Sequence, residues 1–345
     1  MNDDKNIREV LNAGDDLIES VTDKIGDVLT GIPAPIRKNF AKAFAQLCTA
    51  TVDIPVAYLE GKATEMRAET NARIKLIEAG ADQIASQMQV DPEYAHVAVK
   101  KFGQKIIREQ INLDKIAETA KQELLLDAQE TSEDGTPDKD VKEISEDWLN
   151  AFEKEACSKS SDEMRNLFGK ILAGEIKRPS SYSIRTVKLL SQLDNQAAKL
   201  FQLLCSMSIS QQVNGHVLDA RVVSLSGQAG SNSLSKYGLS FDNLNVLHEY
   251  GLIIADYNSY MPYGHCIAQN EQVPLPFMYH GMHYALVHED GSSKDLKLHG
   301  VALTKSGKEL LNVVDFVSCE KYTNDLISYF KNIKYKMISV RIIHR

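Results

Sequence analysis

The sequence has no excess of positive charge. Its 39 Lys and Arg stand against 47 Asp and Glu, a formal charge of -8 over 345 residues, which excludes a chain that coats nucleic acid through bulk electrostatics. Cysteine is scarce: Cys48, Cys157, Cys205, Cys266 and Cys319 are widely scattered, and no CxxC occurs. This usage suggests reduced thiols in a cytoplasm. No apolar run reaches the roughly 18 residues of a membrane-spanning helix. The most apolar stretch, Ala41 to Leu59, is broken by Lys42, Asp53 and Pro55. The opening MNDDKNIREV carries Asp3, Asp4 and Glu9 where a secretion signal needs a basic end and an apolar run. Also missing are GxxxxGK[ST], a GxGxxG after a strand, and HExxH, which removes common phosphate cradles and zinc hydrolase sites. What remains is an ordinary globular composition, 43% hydrophobic and 25% charged.

The organisation expected from the pattern is mainly α. Residues 1–128 read as a helical N-terminal region. In it Gly31, Pro33 and Pro35 precede an amphipathic helix in which Ile36, Phe40 and Phe44 recur between Arg37, Lys38 and Lys42. That basic stripe suits packing on the protein, with peripheral membrane contact through Ile36, Phe40 and Phe44 as the other reading. Ile74, Ile77, Ala81, Ile84 and Met88 follow a 3-4-3-4 spacing, a buried helix side or a self-association seam that would make the chain a homo-oligomer. Another helical pattern runs from Asp91-Pro92 to about Asp127. Residues 129–144 form an acidic linker without large apolar residues before Ile144.

Residues 145–206 read as a helical core unit. Ser145, a Ser160/Glu163 capping box, Ser183 and Asp194 mark the helix starts, and Gly174 with Pro179 marks a stop. Residues 207–345 change texture. A helix with Phe241, Leu244 and Leu247, a strand LIIADY, two strands around Asp290-Gly291 and a helix capped by Thr304 are the parts of a winged-helix-like α+β domain with a basic tail.

The segment from Asp147 to Phe201 combines a Trp-containing helix, an ILAGE helix end, a Pro-Ser turn and an RTVKLLSQL helix. In this it resembles a bacterial family of unknown function and, in general layout, the abortive-infection alpha family. IIREQINLDKI, from Ile106 to Ile116, resembles the stretch that precedes the linker in that family. The resemblance implies a bacterial or prophage-borne accessory protein with a role in phage defence. It carries over no catalytic residue.

Candidates for chemistry are few. His265, Cys266, His280, His283, His288 and His299 crowd into 35 residues, but their spacing matches no metal site, and solvated or core histidines are the default reading. Across the expected hairpin His283 and His299 would approach each other. Cys266 and His265 are chain neighbours on an expected strand and point apart, which argues against a thiol–base pair. For DNA binding, the helix SFDNLNVLHEYG contains no Arg or Lys, leaving Lys236, Lys294, Lys297, Lys334, Lys336 and Arg341 to meet phosphate. The expectation is therefore a non-enzymatic interaction protein without cofactor, self-associating through its N-terminal helices and recognising a protein with its C-terminal domain. A nucleic-acid-binding regulator is the alternative.

Overall fold

The computed structural model describes residues 32–48, 91–130, 142–213, 215–226, 228–268, 274–291 and 295–341. They fall into two units, Met1–Ser180 and Ser181–Arg345. The stripe Ile74, Ile77, Ala81, Ile84 and Met88 lies outside the described residues, as do Lys294 and most of the acidic linker.

The first unit is helical, as its periodicity predicts. Helix α1 (Ala34–Leu47) carries Pro35 in its first turn, which the fixed φ of proline suits, and turns Phe40, Ala41, Ala43, Phe44 and Leu47 inward. Both aromatic residues of the amphipathic stripe are thus spent on packing. Helix α2 (Pro92–Glu130) buries Leu113, Ile116, Ala117, Ala120 and Leu124 along its second half. Helices α3 (Glu146–Ala156) and α4 (Asp162–Lys177) close the unit, with Trp148 stacked on Phe152 and Phe152 meeting Phe168 edge to face. Gly169 allows α4 to approach α2, since a Cβ there would sit 2.5 Å from Thr119.

Two buried amides bind these helices together. Asn39 on α1 donates to the carbonyls of Lys142 (2.9 Å) and Ile176 (3.2 Å) and accepts from the Ile144 amide (3.0 Å). Asn112 on α2 donates to the Cys157 carbonyl (2.7 Å) and accepts from Arg165 (2.9 Å). Two sequence-based details shift. The cap of α4 is Ser161 rather than Ser160, accepting from the Met164 amide at 3.2 Å. The helix also passes through Gly174 to Lys177, because Ile176 is fully buried; Pro179 and the left-handed Ser180 (φ 74°) end it instead.

The second unit opens with α5 (Ile184–Gln192) and α6 (Asn195–Met207), capped by Ser183 and Asp194 as expected. Glu309, from later in the chain, completes the α5 cap: its carboxylate accepts from the Ser183 amide (2.8 Å), the Ser183 hydroxyl (3.0 Å) and the Thr186 hydroxyl (2.6 Å). Strands β1 (Ser208–Val213) and β2 (His216–Val223) follow, then α7 (Phe241–Glu249), β3 (Ser259–Pro262), β4 (Phe277–Tyr279), β5 (Met282–His288) and β6 (Lys297–Ala302). Helices α8 (Lys305–Leu311) and α9 (Glu320–Asn332) and strand β7 (Tyr335–Ser339) complete it.

This is where the winged-helix expectation fails. The strands form one seven-stranded sheet in the order β3-β6-β2-β1-β4-β5-β7, with every neighbouring pair antiparallel. The two strands around Asp290-Gly291 do not form a hairpin wing, for β5 pairs with β4 and β7 while β6 pairs with β2 and β3. Two local features explain the choice. Gly300 on β6 lies so close to β2 that a Cβ would run into the Val222 carbonyl, and the two-residue turn His280-Gly281 gives β5 a nearer partner in β4. Of the expected strand LIIADY, only Ile253 makes a bridge, to Leu303.

Replacing Asn39 with Ala leaves one amide and two carbonyls without their partner. Denaturant unfolding of the full chain is expected to show a loss of roughly 2 to 3 kcal/mol. Lys42→Ala on the same helix breaks only partly exposed pairs with Glu143 and Glu146 and should cost less than about 1 kcal/mol.

Candidate functional site

The chemistry-bearing residues of the second unit converge where the β4–β5 turn meets the start of α9. Tyr279 and Met282 are register partners closing a two-residue turn, and both turn residues are left-handed: His280 has φ 49° and Gly281 has φ 73°. Histidine, with asparagine and aspartate, is among the side chains that tolerate this region. The turn holds the imidazole against Phe316 (5.5 Å between ring centroids) and Tyr279 (4.9 Å). Its Nε2 then lies 2.9 Å from Sγ of Cys319.

Cys319 occupies the N-cap position of α9, a 13-residue helix with no side chain capping its first amides. The thiol is half-buried and also lies 3.2 Å from the Ser206 carbonyl and 3.5 Å from the Tyr279 hydroxyl. Ser206, at the end of α6, fixes the approach, because its hydroxyl accepts from the Val317 amide at 2.9 Å. Tyr279 shares a 2.7 Å hydrogen bond with Thr323 on the first turn of α9. Burial raises the Tyr279 hydroxyl pKa, with Cys319 adding to the effect, so the phenol remains protonated at neutral pH. Burial lowers the His280 pKa against an opposing interaction with Ser206, favouring the neutral imidazole that can accept a proton.

These groups line an open cleft of about 550 Å³ whose walls include Met282, Tyr284, Phe316 and Val317. Met282 is 52% exposed, Phe316 40% and Val317 36%, so the cleft presents an apolar rim around a polar floor. Chemically the arrangement pairs a thiol with a base at a helix N-terminus, where the backbone amides favour negative charge.

The histidines that crowd into residues 265–299 of the sequence are dispersed in the fold. Among the described residues no three His, Cys, Asp or Glu side chains form a metal-ligand group. His283 and His288 are on β5 and His299 is on β6, with β2, β1 and β4 between them in the sheet. His299 lies tilted against Tyr260, and His288 packs edge-on against Tyr335. The Cys266 thiol is buried beneath Gln211 (3.6 Å) and pushed up to about 12 by burial, whereas His265 is exposed and lies against Tyr263.

The basic residues of the nucleic-acid reading are also separated. Lys236 pairs with Asp325 (3.0 Å) and covers the Tyr237 ring, while Lys297 on β6 covers Tyr260. Lys334 lies 3.5 Å from Asp290, Lys336 is on β7, and Arg341 follows that strand, at the other end of the sheet order from Lys297. On α7, Asn243 donates to the Gly238 carbonyl and Asn245 accepts from the Tyr257 hydroxyl, so both amides serve the fold.

Sequence reasoning missed the pairing of His280 with Cys319. The available signal was the dipeptide His280-Gly281 between two apolar-aromatic runs, a hairpin spacing, followed by a cysteine just ahead of a helical pattern.

A family model described as "Protein of unknown function (DUF2806)" matches residues 98–327, a span that runs from α2 into α9 and includes both His280 and Cys319. No curated protein and no solved structure matches the chain. Among the described residues no helix is long and apolar enough to cross a membrane.

The depressed His280 pKa has a stability consequence of fixed sign. The unfolded chain binds this proton more readily than the folded one, so the stability tied to neutral His280 is complete above the ordinary histidine value and is lost as pH falls through the folded value. Between about pH 7.5 and about pH 5.5, the Tm of the native chain should therefore fall further than that of His280→Asn, as read by circular dichroism melts of both.

Proposed function

We propose that this chain, which belongs to the DUF2806 family, is a non-enzymatic interaction protein that self-associates through its N-terminal helical part and takes a segment of a partner protein into the C-terminal cleft. The observation that carries the reading is the first half of α2. There Tyr94 is 67% exposed, Val97 50%, Phe102 62% and Ile106 46%, a concentration of large apolar side chains on one helix. Scattered surface leucines are ordinary, but several such residues on successive turns of one helix are a feature of interaction surfaces. The occupant assigned to this exposed half of α2 is a second copy of the chain, in keeping with the apolar stripe at Ile74 to Met88. The C-terminal part of the reading is supported by the rim of Met282, Phe316 and Val317, since an apolar rim around hydrogen-bonding groups suits a peptide segment better than a polyanion.

The layout of residues 147–201, similar to that of the abortive-infection alpha family, extends the reading to phage defence in a bacterial host. Self-association would then be the step that presents several C-terminal clefts to one target.

Light scattering coupled to size exclusion should report a dimer or larger assembly at micromolar concentration. The double substitution Phe102→Asp with Ile106→Asp should yield a monomer of unchanged helicity. A monomeric native protein overturns the reading. In a phage-sensitive host, expression of the native chain should lower plaque counts, and the double variant should not.

A further inference from the structure

Five thiols are present, and their surroundings differ in kind. Burial pushes the Cys48 thiol well above its usual pKa, helped by Asp114 and Glu118. Burial also raises Cys157, with Glu109 and Glu153 adding to it, and raises Cys205 and Cys266 within the core. In each of these the thiol form is favoured and the nucleophilic thiolate is suppressed. Cys319 differs in geometry: it has an imidazole at 2.9 Å, sits at the amino end of a helix without a side-chain cap, and lines an open cleft wide enough for a small molecule. The thiol donates to the Ser206 carbonyl at 3.2 Å, and its sulfur lies 2.9 Å from His280 Nε2, within hydrogen-bond reach of the imidazole.

We infer that Cys319 is a modification site, a reactive thiol that exchanges with low-molecular-weight disulfides of the glutathione class entering the cleft. The step balances without a further reactant. Sγ of Cys319 attacks one sulfur of the incoming disulfide; the Sγ–S bond forms as the original S–S bond breaks. The thiol proton passes to His280 Nε2 and on to the departing thiolate, which leaves as a free thiol. The protein thiol is oxidised and one half of the disulfide is reduced. His280 is a positioning and proton-accepting residue in this step, and the first amides of α9 stabilise the thiolate before attack. The adduct would fill the cleft between Phe316 and Tyr284, so modification and occupancy of the cleft by any other ligand exclude each other. The inference does not depend on what that ligand is.

The test uses the full chain and oxidised glutathione, with the modified peptides mapped by mass spectrometry over time. A single glutathione should appear first on Cys319, and Cys319→Ser should abolish that early addition. His280→Asn, with folding verified by circular dichroism, should slow the addition by at least about tenfold, the scale expected when a thiolate loses its imidazole partner. As a second readout, the conservative His280→Gln should be slowed in the same way, whereas Cys157→Ser, which leaves the pair and the cleft untouched, should retain the native rate within a few-fold. First addition at Cys48 or Cys157, or an unchanged rate in both His280 variants, overturns the assignment.

Discussion

A buried guanidinium sets the layout of the second unit. Arg221 on β2 is 3% exposed and cannot remain in the sheet unless its donors are satisfied, since a buried charge that loses its partner costs several kcal/mol. It makes a bidentate pair with Asp219 two residues earlier on the same strand face, at 2.7 and 2.8 Å. Its remaining donor reaches the carbonyls of Ser259 on β3 (2.8 Å) and Leu298 on β6 (3.0 Å), and the Tyr263 hydroxyl donates to Asp219 (3.0 Å). These bonds can all form only with β2, β6 and β3 side by side. With β6 committed there, β5 is left to β4 and β7, and the β4–β5 turn is free to carry His280 to the start of α9. The thiol–imidazole pair is therefore downstream of an ion pair in a different part of the sheet.

The first unit reaches the same end by other means. Its long-range ties run through Asn39 and Asn112, neutral amides that keep their donors and acceptors at any physiological pH. Each joins a helix to the backbone of segments remote in sequence, so the helices are held in register as well as packed by Phe40, Leu113, Ile116 and Phe168.

What was legible in the sequence follows the range of the interactions involved. Helix starts at Ser183, Asp194 and Thr304, and the end of α7 near Gly251, depend on residues within one turn, and the structure has them where the pattern places them. Strand partners depend on contacts made across scores of residues, so β5 and β6 looked like a hairpin because they are neighbours in the chain. The contradicting information was present but local in form: Gly300, which only β2 explains, and His280-Gly281, a less familiar form of the Asn-Gly turn. The candidate site was illegible for a related reason. His280 and Cys319 are each unremarkable alone, and their meeting needs the turn, the end of α6 at Ser206 and the start of α9 all in place.

The cap that Glu309 supplies to α5 bears on how the chain is made. Helix α5 is among the first elements of the second unit to leave the ribosome, yet the carboxylate that satisfies Ser183 and Thr186 is synthesised more than a hundred residues later. Until Glu309 emerges, the start of α5 has only its local Ser183 cap, and a nine-residue helix is marginal in water without tertiary support. The second unit thus cannot consolidate piece by piece during translation. Its beginning waits for its end, and a chain that stalls or is truncated before α8 would present α5 and α6 to the cell's chaperones with their apolar faces uncovered.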